Sequence, residues 1–113
     1  MPFINTKVNV SLPAAKKDAI AARYGKAASI IGKSESWLML GFEENCSLYF
    51  RGDNSAPIAY VEVSLYGGSS SSSYSALTAE ITKILGEELA ISPDHVYVKY
   101  SPTSDWGWNG GNF

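Results

Sequence analysis

A strand–helix–strand pattern occurs twice along this sequence, and the repeat restricts the chain to a small set of folds. Apolar and polar side chains alternate in residues 2–10 and 57–66, which is the period of a half-buried β-strand. Each of these strands is followed by a segment with helical spacing and then by a second strand, at 37–43 and 95–100. Because crossovers between parallel strands are right-handed, both helices are expected on one face of the sheet. The repeat predicts an α/β (α+β) fold in which four strands form a mixed sheet and two helices cover one face.

Different sequence features mark the ends of the two predicted helices. The first helix is predicted over residues 13–31, with Gly32 as its C-terminal stop. The second is predicted to follow a run of five serines at 69–73 and to end near Leu89. A serine run of this kind is typical of a flexible linker, but its position between a strand and a helix favours a crossover loop.

Two features of the predicted sheet indicate how its faces are covered. Residues 37–43 are almost continuously apolar, which favours a strand that is covered on both faces and paired in parallel. The face away from the helices combines polar and aromatic side chains, among them Asn5, Lys7, Tyr60, Glu62, Tyr97 and Lys99. An uncovered face of this kind, together with long sheet edges, promotes association. We therefore expect a closed oligomer, and the pattern leaves its number of subunits open.

Length and charge argue against several classes of protein. At 113 residues the chain suits one domain, predicted to span 1–113. The formal net charge is −2 and the lysines are scattered, so a basic surface for nucleic acid or for a membrane is not expected. No stretch is apolar for long enough to predict membrane insertion, and no secretory signal is visible. The cytosol is the expected location, although release by an unconventional route would leave no mark in the sequence.

The usual catalytic and metal-binding side chains are scarce. Cys46 and His95 are the only cysteine and histidine, so neither an internal disulfide nor a His/Cys metal cluster is expected. The pair Gly67-Gly68 lacks the further spaced glycine of a phosphate-binding loop and is interpreted as a turn. We interpret Cys46 as a small buried apolar residue or an inert surface thiol, and His95 as a solvated residue at the start of a strand. No cofactor and no metal are predicted.

The pair Met1-Pro2 offers a different kind of reactive group. An initiator methionine is usually removed when the next residue is small, and Pro2 would then carry a secondary amine; with Met1 in place, the same nitrogen is an unreactive amide. A free α-amino group titrates near about 7.7–8.0, and a proline amine is more basic, so most of it would be protonated at neutral pH. Apolar surroundings and a neighbouring lysine both lower the pKa of an amine and would make it a general base. The plain alternative is that Pro2 only begins an edge strand.

Five short motifs occur in an order that resembles the macrophage migration inhibitory factor family of the tautomerase superfamily. They are Met1-Pro2-Phe3-Ile4, Gly32-Lys33, Ser64-Leu65, residues 91–98 (ISPDHVYV) and residues 107–113 (GWNGGNF). Each motif is weak alone, but their order on a repeated β-α-β pattern is specific, and the resemblance covers essentially the whole chain. The resemblance implies a homotrimer whose sheets face inward, with an active site at each subunit boundary.

The resemblance also implies roles for individual residues. Pro2 matches the catalytic base, Lys33 the lysine that holds the substrate carboxylate, and Leu65 a residue whose backbone amide contacts that carboxylate. Tyr97 matches a tyrosine that enters from the neighbouring subunit. The aromatic wall of the pocket is expected from Trp37, Trp108 and Phe113. Lys99 stands where well-known members carry an asparagine, so an additional cation is expected to act on Pro2 or on an acidic group of the substrate.

These roles imply an isomerase, namely a cofactor-independent keto–enol tautomerase for phenylpyruvate-like α-keto acids or a dopachrome-like compound. The alternative is a cytokine-like signalling protein that binds a cell-surface receptor, with catalysis incidental. Hydration and dehalogenation, found in other branches of the superfamily, are disfavoured because the only arginines, Arg23 and Arg51, match no expected pocket position. Taken singly, Lys33 and Tyr97 also have plain structural interpretations, as a cation at a helix C-terminus and as a sheet-packing residue.

Overall fold

One four-stranded sheet organises the computed structural model, which describes residues 1–113. Its strands are β1 (Pro2–Val8), β2 (Met39–Glu43), β3 (Ala59–Tyr66) and β4 (Val96–Thr103), in the spatial order β2-β1-β3-β4. β1 pairs in parallel with β2, and β3 pairs in parallel with β4, whereas the central pair β1–β3 is antiparallel. The arrangement confirms the predicted fold class, a mixed sheet made from two strand–helix–strand units.

Two helices, α1 (Ala14–Ala27) and α2 (Ser71–Leu89), supply the apolar side chains that cover the sheet. Alternate residues of β1 and β3 are buried, as the period of a strand with one covered face requires. These rows join the buried positions of the helices in one core, whose largest members include Ile4, Val61, Val63, Leu65, Ile20, Tyr24, Leu77, Ile81, Ile84 and Leu85. Both helices are therefore amphipathic elements of the same layer, as predicted.

The core contains one buried polar contact between the sheet and α1. The hydroxyl oxygens of Thr6 and Tyr24 lie 3.0 Å apart, and both residues are fully buried. Each hydroxyl therefore has a partner, as buried polar groups require. Burial raises the pKa of Tyr24 to about 12.

The first two strands differ from their predicted limits. β1 ends at Val8 rather than at residue 10, because Asn9 turns its side chain to the backbone, donating to Ala56 O at 2.9 Å. β2 begins at Met39 rather than at residue 37, because Trp37 belongs to a short 3-10 turn, Glu35–Trp37. The expectation that this strand is covered on both faces is wrong for the single chain, since β2 forms the edge of the sheet and Met39 is exposed.

The serine run is partly helical, so the prediction of a crossover loop over 69–73 is wrong for its second half. α2 begins at Ser71, and the Ser70 hydroxyl accepts a hydrogen bond from the Ser73 backbone N–H at 3.1 Å. Serine is a favoured N-cap because its side chain satisfies one of the free N–H groups of the first turn. Because all five residues of the run are serines, the sequence does not show which of them caps the helix.

Helix α1 ends as predicted, through a tightened last turn. Residues Ala28–Ile31 form a 3-10 helix that continues α1, and Gly32 follows with a positive φ of 70°. The Lys33 backbone N–H donates to Ala28 O at 3.0 Å, which completes the cap.

The last two strands of the sheet also differ from their predicted limits. β3 begins two residues later than expected, and β4 continues to Thr103, three residues beyond the predicted end.

The C-terminal segment forms a hairpin that was not predicted. After β4, the strands β5 (Gly107–Trp108) and β6 (Gly111–Asn112) pair through a two-residue turn in which Asn109 and Gly110 both have positive φ. An Asn-Gly pair is the strongest short signal for such a turn.

Neither helix combines the length and the apolar character that a membrane span requires.

Candidate active site

A cleft opens at the start of β1. Its main part, about 530 Å³, lies beside Pro2 and is lined mostly by apolar residues: Met1, Pro2, Phe3, Ser36, Trp37, Leu38, Met39, Trp106, Gly107 and Trp108. A second part of about 420 Å³ shares three of these residues and is lined entirely by apolar side chains, Met1, Trp37, Tyr66, Trp108 and Phe113. We call these two parts together the N-terminal cleft. No aspartate or glutamate side chain lines it.

Pro2 is held at the base of the cleft by the sheet. It is the first residue of β1, where a residue without an N–H group costs no ladder hydrogen bond. Its partner in the antiparallel register is Leu65, and Met1 O accepts a hydrogen bond from the Tyr66 N–H at 3.2 Å. The side chain of Leu65 is fully buried in the core, so a ligand could meet only its main chain.

Lys33 reaches the same end of the sheet from the end of α1. Gly32, in the left-handed conformation, turns the chain so that Lys33 leaves the helix toward β3. Its ammonium Nζ donates to Tyr66 O at 2.9 Å. A lysine ammonium has three donors, so two remain for a substrate carboxylate.

The electrostatic environment of the cleft disfavours a positive charge at the N-terminus. The pKa of the Met1 amino group is lowered from its usual 8.0, first because burial removes water from the ammonium form and second because Lys33 repels it. Pro2 follows by one residue and lines the same cleft. An amine on the Pro2 nitrogen would therefore be exposed to the same two effects, and both favour its neutral form.

Aromatic rings form a connected wall on one side of the cleft. Trp37 and Trp108 meet edge to face with their centroids 4.9 Å apart. Trp108 is nearly parallel to Phe113 at 6.3 Å, and Phe113 packs on Tyr66 at 5.4 Å. Such ring contacts add stabilisation beyond that of area burial. The unpredicted hairpin positions Trp108, and the Phe113 N–H donates to Trp106 O at 3.0 Å behind it.

Two predicted site residues lie away from the cleft within one chain. Tyr97 pairs with Tyr60 in the β3–β4 register, whereas the row of Leu65 continues to Pro102. Five strand residues separate these rows, or about 17 Å, so Tyr97 cannot line the cleft of its own chain. Its exposed ring packs on Phe50 at 5.6 Å.

Lys99 is closer to the cleft but also outside it. It pairs with Glu62 across β3–β4, three residues or about 10 Å along β4 from Pro102. The structure thus brings Pro2, Trp37, Trp108 and Phe113 together in the lining of the cleft. Leu65 and Lys33 are absent from that lining: Leu65 is the register partner of Pro2, and Lys33 Nζ binds Tyr66 O. Tyr97 and Lys99 lie on the open face of the sheet.

Tyr66 is the main site residue that the sequence analysis missed. Its ring contributes to the aromatic wall, and its carbonyl oxygen accepts from Lys33. The alternation of β3 places Tyr66 on the face opposite the buried Leu65, directly before Gly67-Gly68. Its position at the end of a predicted strand and directly before a predicted turn is the sequence feature that could have identified Tyr66 as a site residue.

Comparisons with known proteins identify the family and the fold of the chain. The family model described as macrophage migration inhibitory factor matches residues 1–113. No curated protein sequence matches the chain at a significant level. Among solved structures, the chain is similar to Leishmania major MIF2, with 36% identity and a TM-score of 0.93 over 100% of this chain and 97% of that one.

Two further solved structures show the same fold over nearly the full length of each chain. A macrophage migration inhibitory factor homologue from Prochlorococcus marinus has 27% identity and a TM-score of 0.87, with 98% of each chain covered. The macrophage migration inhibitory factor of Toxoplasma gondii has 23% identity and a TM-score of 0.91, covering 98% of this chain and 99% of that one. The chain therefore belongs to the macrophage migration inhibitory factor family of the tautomerase superfamily.

Proposed function

We propose that this protein is a cofactor-independent keto–enol tautomerase for α-keto acids with an aromatic side chain, phenylpyruvate being the type. One observation carries the proposal: Pro2 lines an aromatic cleft that contains no acidic residue, and Lys33 acts on the amino group at the same end of the sheet. An amine base, a cation for a carboxylate and a wall for a ring are the three groups that this reaction needs.

The base is the Pro2 amine, which exists only after Met1 has been removed. With Met1 attached, the Pro2 nitrogen is an amide and cannot accept a proton. Apolar walls and Lys33 then favour the neutral amine, as they do for the Met1 amino group. A base whose pKa lies near or below neutrality is largely free to act at neutral pH.

The reaction moves one proton from carbon to oxygen. The substrate carboxylate binds the two free donors of Lys33, and its ring lies against Trp37, Trp108 and Phe113. Neutral Pro2 removes a proton from the carbon between the ring and the ketone, and the electron pair of that C–H bond forms the enolate. Lys33 stabilises the negative charge that develops near the carboxylate. The protonated amine then returns its proton to the enolate oxygen, which yields the enol and restores the base.

The working form is proposed to be a homotrimer. Tyr97 and Lys99 lie on an open sheet face, too far from the Pro2 of their own chain to touch a substrate there. In a trimer with inward-facing sheets, Tyr97 of one subunit would complete the cleft of the next. Sedimentation equilibrium should then give three times the chain mass of 12.2 kDa.

The test compares the same preparation before and after removal of Met1. Intact-mass spectrometry measures the fraction of chains that begin at Pro2, and an enol absorbance assay measures phenylpyruvate turnover. We expect kcat to rise in proportion to the processed fraction and to approach zero for chains that keep Met1. Equal turnover in the two preparations would rule out Pro2 as the base.

A further inference from the structure

A short turn after β3 determines where the Lys33 ammonium lies. We call Tyr66–Ser70 the glycine turn. Tyr66 O, its first carbonyl, accepts both from Lys33 Nζ at 2.9 Å and from the Gly68 N–H at 3.0 Å. Gly67 and Gly68 have φ values of 82° and 121°, a conformation that other residues rarely adopt. The peptide that carries the Tyr66 carbonyl is also held by its own N–H group, since the Gly67 N–H donates to Thr103 O at 2.8 Å. The direction of the carbonyl therefore depends on this bond to β4 and on how the rest of the turn is held.

The hydroxyl of Tyr74, from the first turns of α2, lies directly against the glycine turn. It accepts a hydrogen bond from the Ser69 backbone N–H at 2.9 Å. A Cβ atom on Gly68 would lie only 3.2 Å from the same hydroxyl oxygen and 3.3 Å from Cβ of Pro102. The turn is thus closely packed between α2 and β4. Besides Lys33 Nζ at Tyr66 O, the phenol oxygen of Tyr74 also binds the backbone of the turn, at the Ser69 N–H.

Tyr74 is itself held in one position. Its ring stacks on Tyr100 with a centroid distance of 4.3 Å and an interplanar angle of 22°. The Tyr100 hydroxyl donates to Tyr74 O at 2.8 Å and lies 2.8 Å from the Thr78 hydroxyl. A side chain fixed by a stacked ring is a firm support for a turn, since little rotamer freedom remains.

We propose that Tyr74 is a positioning residue for Lys33: its hydroxyl holds the glycine turn, and the turn presents the Tyr66 carbonyl that fixes the Lys33 ammonium beside Pro2. The inference rests on the proposed function, in which Lys33 binds the substrate carboxylate. Tyr74 lines no part of the N-terminal cleft and acts only through the turn and Lys33.

The variant Tyr74→Phe separates the hydroxyl from the ring. Phenylalanine keeps the stack on Tyr100 but leaves the Ser69 N–H without its acceptor, so the turn loosens and Lys33 loses its fixed site. We expect KM for phenylpyruvate to rise about three- to tenfold, the range for one lost hydrogen bond, with a smaller change in kcat. The acidic limb of the kcat/KM profile should move to higher pH, because a more distant ammonium lowers the pKa of the Pro2 amine less.

The matched control is Tyr100→Phe, which removes a phenol hydroxyl from the same aromatic pair. That hydroxyl binds Thr78 and the Tyr74 carbonyl, and it makes no contact with the glycine turn. We expect Tyr100→Phe to shift KM and the pH profile less than Tyr74→Phe does, because it removes one support of Tyr74 but keeps the bond from the Tyr74 hydroxyl to the turn. Equal shifts in both variants, or no shift in Tyr74→Phe, would overturn the positioning role.

An NMR titration of isotope-labelled Pro2 in the Met1-free protein tests the inference without turnover. The pKa of the Pro2 amine should be higher in Tyr74→Phe than in the wild type and in Tyr100→Phe. If the wild type does not turn over phenylpyruvate but this difference is present, the proposed substrate is wrong and the positioning role stands. If turnover is normal and the difference is absent, the positioning role is wrong and the proposed function stands.

Discussion

Lys33 Nζ lies 2.9 Å from the carbonyl oxygen of Tyr66, the residue that follows the register partner of Pro2. This contact joins the end of the first helix to the end of β3. It places a cation at the end of the sheet where the chain begins, although Lys33 is distant from Pro2 in sequence. Burial lowers the pKa of the terminal amino group, and the positive charge of Lys33 lowers it further.

Replacing Lys33 should weaken substrate binding and change the pH profile together. In Lys33→Ala we expect KM for phenylpyruvate to rise about tenfold or more, because a hydrogen bond to a charged group contributes about 1.5–3 kcal/mol. The acidic limb of kcat/KM should move to higher pH, since an amine without a neighbouring cation keeps its proton more readily. Steady-state kinetics across a pH series measures both effects.

Lys26→Ala is the matched control for this prediction. Lys26 occupies the last turn of α1 and is absent from the lining of the N-terminal cleft. Its removal should change neither KM nor the pH profile. A similar response in both variants would mean that the overall charge, and not the position of Lys33, controls the site.

Trp108 should matter more for binding aromatic substrates than for stability. It is 52% exposed, yet it contacts Trp37 and Phe113 in the wall of the cleft. Trp108→Ala should raise KM for phenylpyruvate about tenfold, since each aromatic contact contributes about 0.5–1.5 kcal/mol. KM for an α-keto acid with a small aliphatic side chain should change much less. Tyr49→Ala, which removes an exposed ring outside the cleft, should leave both values unchanged, and a loss equal for both substrates would argue against an aromatic subsite.

The burial of Tyr24 predicts how stability changes in alkali. The folded state holds the Tyr24 phenol neutral with a pKa of about 12, whereas the unfolded chain ionises near 10.0. Above that lower value ionisation favours the unfolded chain, so the stabilisation is lost as pH rises from 10.0 toward about 12 and amounts to about 3 kcal/mol in full.

Tyr24→Phe separates this contribution from other alkaline effects. At neutral pH the variant should be less stable by about 1–3 kcal/mol, because the Thr6 hydroxyl remains buried without a partner. Urea unfolding at increasing pH should show the gap between wild type and variant narrowing above the ionisation of the unfolded tyrosine. A gap that stays constant would contradict the assigned environment of Tyr24.

The sheet topology was largely predictable from sequence for physical reasons, whereas the site residues around Pro2 were assigned from the resemblance to a family. Alternation in β1 and β3 reports one buried face directly, and the apolar spacing of the helices does the same. Trp37 shows the limit of such patterns: it looked like the first residue of an apolar strand, but local capping by Ser34 folds it into a 3-10 turn. Local hydrogen bonds of this kind decide the ends of elements, and periodicity does not report them.

The support of Lys33 could not have been predicted in the same way. The contact with Tyr66 depends on the direction of a backbone carbonyl, whose peptide is held by the Gly67 N–H bond to Thr103 O and whose turn is bound by Tyr74 at Ser69. The hairpin that holds Trp108 was predictable in principle, because Asn109-Gly110 is a strong turn signal, but its strands have only two residues each. Strands of two residues are too short to show the alternation of apolar and polar side chains that predicts a strand.

Mixing two impaired variants should restore part of the activity if each site is built by two subunits. Pro2→Gly alone should lower kcat/KM by about 10²–10⁴-fold, the usual contribution of a general base. Tyr97→Ala should also be impaired, although Tyr97 is remote from the Pro2 of its own chain.

In randomly mixed trimers of the two variants, about a quarter of the sites would combine an intact Pro2 with an intact Tyr97. We therefore expect co-expressed or co-refolded mixtures to recover part of the wild-type rate, with circular dichroism and sedimentation unchanged. If every mixture is only as active as its separate components, Tyr97 does not complete a neighbouring site.

The protonation state of the Pro2 amine is the most direct test of the catalytic proposal. The measurement is an NMR titration of isotope-labelled Pro2 in the assembled protein after removal of Met1. We predict that the neutral amine predominates at neutral pH, because burial and Lys33 both lower its pKa. An amine that stays fully protonated through neutrality would leave the site without a base and would contradict the proposed mechanism.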